Sequence, residues 1–305
     1  MKKLIAALAA TTLLAGSAMA QTATPAPTAA KAPAPKLMAD PALWVVKDKD
    51  TTIYLLGTVH VLKPGTEWLD GGVKKAYDAS SEVVLELLQP DTAVMQGLIG
   101  KYAVDPDGPA LTAKLSPEVK ALYERTTTEL GLPAPAFEKF QPWFVSTILS
   151  LTAITKAGYD PESGVERQIT VAATRDGKKM AGLETAEQQL GFFASLPEAA
   201  QLAFLKSTLE ELQKIDGVFD TMVTDWGKGD PEGLARLLND SMNDSPELVK
   251  TLLTDRNARW AQWIDDRMHK PGTIFIAVGA GHLAGPNSVQ NMLKAHKLKA
   301  VRIPS

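Results

Sequence analysis

Two short segments repeat one pattern suited to chemistry. Gly57-Thr58-Val59-His60 and Gly279-Ala280-Gly281-His282 are both Gly-x-x-His, and each directly follows an apolar run, TIYLL and TIFIAV. A glycine at a strand end lets the backbone turn tightly, so that a side chain three residues on can enter the crevice beyond the carboxyl edge of a sheet. The chain has 4 histidines, and two of them sit in this duplicated setting, which points to function more than to loop capping. Glu86 adds a carboxylate borne on the strand-like run EVVLEL. Two imidazoles and a carboxylate suit zinc, manganese, cobalt or iron and leave open positions for water and substrate. No HExxH motif fixes two ligands on one helix, so the spacing of His60, Glu86 and His282 does not by itself set this geometry.

Three other charged residues stand where they could act with this set. Val249, Leu252, Leu253, Trp260 and Ile264 form an apolar stripe at helical spacing, and Arg256 falls on it, three residues after Leu253. A guanidinium facing a core needs a carboxylate partner, whether for catalysis or as a purely structural ion pair. Glu184 follows the strand-like run Met180–Leu183 and could reach the same crevice, although it also precedes the helix cap Thr185. Glu166 closes Ser163-Gly164-Val165-Glu166, which also reads as a capping box. A rival motif, Gly279-Ala280-Gly281-His282-Leu283-Ala284, matches the dinucleotide pattern G-x-G-x-x-A, but no Asp or Glu follows Asp266 to bind a ribose. His269 and His296 lie near helix ends and read as surface residues.

The elements that must position these residues form an alternating pattern. Leu43–Val46 and Thr52–Leu56, joined by the charged turn 47–50, predict a hairpin. Strands follow at Glu82–Leu87, Met180–Leu183, Thr273–Val278 and Lys299–Ile303, with Val84 and Glu86 sharing one strand face. Helices are expected at about 71–80, through 91–177, and at about 198–215, 231–239, 246–268 and 287–296. Ser116-Pro117 and the Thr185–Gln188 capping box mark two of the helix starts. The fold class is therefore α/β: a mixed sheet built from N- and C-terminal segments, with a large helical insertion at about 91–178.

Composition narrows the function. Basic residues number 32 and acidic ones 35, a net charge of −3, which lacks the basic excess of a domain dedicated to nucleic acid. The absence of cysteine removes disulfides, thiolate metal sites and a thiol nucleophile. Residues 1–20 combine Lys2 and Lys3, an apolar run and Ala18-Met19-Ala20, the pattern of a signal peptide cleaved before Gln21 and hence of export to the periplasm. Residues 21–39 form an Ala/Pro-rich leader too poor in large apolar groups to pack, and 40–305 is expected to be a single domain with no integral membrane segment.

The stretches LWVV and YLLGTVHV within 43–61, VVLEL at 83–87, AGYDPESGVERQI at 157–169, GLETAEQQL at 182–190, DRNARWAQWI at 255–264 and VGAGHLAGPNSV at 278–289 together resemble the TraB/GumN family. That family is related to the Tiki metalloproteases and, more distantly, to ChaN-like haem-binding proteins and erythromycin esterases. The resemblance implies a sheet core of that kind and an active site using His60, His282 and Glu86, and it draws attention to Glu166, Glu184 and Arg256. The expected activity is hydrolysis of a peptide or amide bond by water activated on a divalent metal (zinc, manganese or cobalt), with Glu86 or Glu184 as general base. The alternatives are a non-catalytic binder of haem or another small ligand, and a metal-independent esterase with His60 as general base. The expected partner is a peptide or small-molecule substrate.

Overall fold

The computed structural model describes residues 37–213, 217–242 and 246–305. The expected signal peptide at 1–20 and most of the expected leader at 21–39 lie outside the described residues. Six strands form the main sheet: β1 (Leu43–Lys47), β2 (Thr51–Thr58), β3 (Glu82–Leu87), β4 (Lys179–Glu184), β5 (Gly272–Gly279) and β6 (Val301–Ile303). Their order across the sheet is β4-β3-β5-β2-β1-β6. The four strands from β4 to β2 run parallel, while β1 is antiparallel to β2 and to β6. Packing begins slightly before Asp40: Leu37–Met38 pair with Thr66–Glu67, and Ala39 is buried.

Parallel strands covered on both faces should be apolar on both, and these are. Val83, Leu85, Phe275 and Ala277 face α1 (Gly71–Ala79) and α5 (Val165–Arg175). Val84, Ile274, Ile276 and Val278 face the helix Asp255–Met268, through Trp260, Ala261 and Ile264. Burying each such aliphatic side chain contributes about 1.5–3 kcal/mol. Glu86 is two residues beyond Val84, so strand alternation turns it toward the face that carries Arg256.

The helical insertion comprises α2 (Thr92–Tyr102), α3 (Pro117–Leu130), α4 (Pro142–Lys156) and α5. It packs together with helices that follow β4: α6 (Ala186–Ala194) supplies Leu190 and Phe193 against Trp143 and Phe144, and α7 (Glu198–Leu212) supplies Leu205 and Leu209 against Val145 and Leu149. Ser116 caps α3 as its Ser-Pro start suggests, and Thr185 with Gln188 forms the expected capping box. Helices α8 (Val218–Gly227) and α9 (Pro231–Met242) pack instead into the core beside the sheet, through Phe219, Met222, Val223, Trp226 and Leu234.

The stretch expected as one helix over 246–268 is divided. A short helix, Pro246–Val249, runs into a π-helical turn, Lys250–Thr254, and then into α10 (Asp255–Met268). Such wide turns release backbone carbonyls from the regular ladder and recur at functional sites. Here the Leu252 carbonyl accepts a hydrogen bond from Arg256 Nη1 at 3.2 Å.

The strand order has one consequence for chemistry. β5 returns from the far end of the chain to lie between β3 and β2, with Thr58 opposite Gly279 and Gly57 opposite Val278. Both Gly-x-x-His segments therefore leave the same edge of the sheet from adjacent strands, beside the end of β3.

Candidate active site

Glu86 forms the floor. Its Oε1 accepts the Gly279 backbone N–H at 2.7 Å, and its Oε2 accepts Arg256 Nη2 at 2.7 Å and Gln189 Nε2 at 3.3 Å. Burial raises a carboxyl pKa, but here Arg256, His282, His60 and the Gly279 N–H outweigh it and hold Glu86 down at about 2. It is ionised throughout the physiological range, which suits an electrostatic role better than general-base work. Glu184 is the last residue of β4 rather than the residue after it, and its oxygens are more heavily committed still. Arg256 Nε donates to both at 3.0 Å, Nη2 to Oε2 at 2.7 Å, Trp260 Nε1 to Oε1 at 3.1 Å and Gln189 Nε2 to Oε2 at 3.0 Å.

Arg256 is the hub. It is 2% exposed, and its five N–H groups meet acceptors on Glu86, Glu184, the Leu252 carbonyl and His282 Nε2, the last 3.2 Å from Nη1. No N–H remains to contact a substrate, so Arg256 is a positioning residue. His282 lies against Trp260, ring centroids 4.3 Å apart, and its Nδ1 is 2.5 Å from Asn257 Oδ1. Asn257 donates its amide N–H to the Asn287 carbonyl at 2.8 Å, which fixes Oδ1 as the acceptor facing His282. The proton of His282 is thus on Nδ1, and the Nε2 lone pair receives Arg256. Burial and the adjacent guanidinium lower its pKa to about 3, leaving the ring neutral.

His60 forms the wall. Its Nδ1 stands 2.6 Å from Glu166 Oε1, which Thr58 Oγ1 also donates to. Burial lowers the pKa of His60, but Glu166 and then Glu86 more than offset this and raise it, against an opposing contribution from Arg256. The clamp depends on a close backbone approach. Val165 N–H donates to the Val59 carbonyl at 3.0 Å, and a Cβ on Gly164 would lie 2.1 Å from the His60 carbonyl oxygen. Gly164 is the helix N-cap with no side-chain cap, Ser163 bonds Asp160, and the Glu166 carboxylate turns to His60. The capping-box reading of Glu166 is therefore incorrect.

His60 Nε2, Glu86 Oε1 and the His282 ring border one small space. A Cβ built on Gly279 would lie 3.7 Å from His60 Nε2, 3.0 Å from Glu86 Oε1 and 3.7 Å from His282 Cδ2. Two of these residues, His60 and Glu86, also line a cleft of about 530 Å³, together with Leu88, Glu166, Thr170 and Met180. Gly279 has φ −48° and ψ 132°, which an alanine can adopt, so Gly279→Ala adds volume without backbone strain. The expected result is a folded variant in which turnover of any substrate found for the wild-type chain is reduced to background. Activity retained in this variant would place the reaction elsewhere in the cleft.

The donors are chemically suited to a metal, but their arrangement does not fit the set His60, Glu86 and His282. With Arg256 in place the Nε2 lone pair of His282 is used, and among the described residues no group of three His, Asp or Glu stands ready to hold a metal ion. Gly279-Ala280-Gly281 leads into a single 3-10 turn, Ala280–Leu283, followed by extended Ala284, instead of the long helix of a dinucleotide fold. His269 is exposed, whereas His296 is half-buried and paired with Asp265 at 3.0 Å.

The titrations give a signed expectation for stability. His282 has a depressed pKa, so as pH falls below about 6.5 the unfolded chain gains a proton that the folded one refuses until about 3. Glu86 adds to this as pH falls from 4.5 toward about 2. His60 acts oppositely, since its raised pKa favours folding below 6.5 and that contribution is lost as pH rises through the folded value. The melting temperature should therefore fall on acidification between pH 6 and 4 in wild type and fall less in His282→Gln. Equal slopes would remove His282 as the buried neutral group.

Gln189, Asn257, Thr58 and the Trp260 indole N–H were not singled out from sequence. Asn257 had a legible signal: it lies four residues after Leu253 and three before Trp260, a second polar residue on the stripe that carries Arg256. A TraB/PrgY/gumN family model matches residues 42–302. This chain belongs to the TraB/PrgY/gumN family. The TraB/PrgY/gumN match runs from just before β1 into β6 and so takes in every strand of the main sheet and His60, Glu86, Glu166, Glu184, Arg256 and His282. Uncharacterized protein YbaP of Escherichia coli (strain K12) is similar to it, 24% identical over 258 residues that cover 83% of this chain and 92% of the relative. An uncharacterized protein of Treponema pallidum (strain Nichols) is 21% identical over 273 residues, 84% of this chain and 80% of the relative. No solved structure gives a significant match.

Proposed function

We propose that the chain is a hydrolase of a peptide, amide or ester carbonyl, in which His60 activates a water molecule held beside Gly279. The observation that carries this reading is the setting of one imidazole. His60 has Glu166 on Nδ1, its Nε2 borders the space next to Glu86 Oε1, and His60, Glu86 and Glu166 all line a cleft of about 530 Å³. A carboxylate on Nδ1 keeps the proton there and leaves Nε2 as the base. Nε2 takes one water proton while the oxygen bonds to the carbonyl carbon, and the imidazolium so formed is stabilised by Glu166 and Glu86. The same proton then passes to the departing nitrogen or oxygen as its bond to carbon breaks, giving the acid and the amine or alcohol. Arg256 and His282 act through Glu86, holding its charge in place. The export pattern at 1–20 supports the periplasm as the setting.

A second reading, hydrolysis by water on zinc, manganese or cobalt, is favoured by the convergence of His60 Nε2, Glu86 Oε1 and the His282 ring on one space. It requires Arg256 to release His282 Nε2. The test is metal content of protein purified without chelator, combined with turnover of ester and peptide libraries before and after chelation. Turnover that survives metal removal supports the His60 reading. Turnover lost to chelator and restored by zinc, manganese or cobalt transfers the assignment to the metal. A Soret band with no turnover overturns both in favour of a haem binder.

A further inference from the structure

The surroundings of Arg256 form a cation site of their own. Nη2 is 2.7 Å from Glu86 Oε2 and 2.7 Å from Glu184 Oε2, and Nη1 is 3.2 Å from His282 Nε2. Two carboxylates and an imidazole lone pair are the donors that zinc, manganese and cobalt use, and here they converge on two terminal nitrogens of one guanidinium. Glu184 takes the place that His60 had in the set expected from the Gly-x-x-His pair. The outer groups suit a metal as well. Asn257 already fixes the tautomer that leaves His282 Nε2 as the lone-pair nitrogen, and Gln189 and Trp260 donate to Glu184, as hydrogen-bond donors commonly do for ligating carboxylates. Gln189 Oε1 is buried without a hydrogen-bond partner, an uncommitted acceptor on an amide that touches both carboxylates.

We propose that Glu86, Glu184 and His282 enclose a cation site whose resident ion is the Arg256 guanidinium, and that a divalent metal takes its place when the guanidinium is removed. The guanidinium and the metal are mutually exclusive there, because both need the same lone pairs and both are positive. The inference does not depend on the hydrolase reading, since it is read by binding alone.

The test uses the full chain and Co²⁺ as the probe, followed by its visible d–d absorption and by the thermal midpoint. Wild type is expected to show no d–d band. Arg256→Met should take up one Co²⁺ per chain at least about tenfold more tightly than wild type, melt higher with Co²⁺ than without it, and lose the band when combined with His282→Ala. Folding of Arg256→Met only in the presence of Co²⁺ supports the proposal equally. Should that variant fail to fold in either condition, Arg256→Lys replaces it: one amine cannot reach every acceptor, so His282 Nε2 is freed and a smaller gain in Co²⁺ affinity is expected. A His282-dependent band in wild type, or a folded Arg256 variant that binds Co²⁺ no better than wild type, would overturn the proposal.

Discussion

His60→Gln should lower kcat/KM on the best substrate found by about 10²–10⁴-fold, the range for loss of a positioned general base, while the chain stays folded. Glutamine keeps approximate size and polarity but cannot take a proton at neutral pH, so the loss should fall on kcat more than on KM. Glu166→Gln should cost less, because it weakens the orientation and charge of His60 without removing the base. The pH profile supplies a second check. Glu166 and Glu86 raise the pKa of His60 above 6.5, so activity should rise with pH through a midpoint above that value, and in Glu166→Gln the midpoint should move down. A His60→Gln variant within tenfold of wild type would mean that another group activates the water.

Arg256→Met should have the largest effect on stability, about 3–5 kcal/mol by urea unfolding at neutral pH and without added metal. The cost comes mainly from what is left behind. Glu86 and Glu184 have side chains 3% exposed, and both share this one guanidinium, with exposed Arg259 reaching Glu184 only at 3.7 Å. Removing one partner of a buried charge pair leaves the other uncompensated, which costs more than the pair was worth. Glu86 has a depressed pKa, so the salt-bridge contribution is present above 4.5 and fades as pH falls toward about 2. The deficit of Arg256→Met relative to wild type should shrink in the same window. Returning these three positions to their original net charge with Glu184→Gln in the same chain should recover part of the loss, and a double-mutant cycle measures the coupling. A loss below about 1 kcal/mol would mean that the cluster is solvated or already protonated.

These two expectations had different origins. The need of Arg256 for a carboxylate was legible in the sequence, because a guanidinium on an apolar helical stripe cannot be buried unpaired. Which carboxylate it would find was not legible. Glu86 is 170 residues away from Arg256 and Glu184 is 72 away, and nothing local couples those separations. For Glu166 the sequence left two readings open, a site residue and a capping box, for the same reason. The local pattern Ser-x-x-Glu is a capping box, and only the approach of Gly164 to the His60 backbone, which needs β2 and α5 already packed, turns that carboxylate aside.

The sequence by itself determined what short-range physics controls. That includes the strand runs with their period of two, the helix starts at Ser116 and Thr185, the glycines at two strand ends, and the family to which those segments point. The tertiary structure decided the strand order that sets β5 between β3 and β2, which brings the Gly279 N–H onto a glutamate 193 residues earlier in the chain. It also decided that the lone pair of His282 faces a guanidinium. Hydrogen-bond partners within a buried polar cluster are chosen by which surfaces pack together, and each choice alters the charge state of the next group. Such a network is a property of the assembled core, whereas an isolated segment carries only its own propensities.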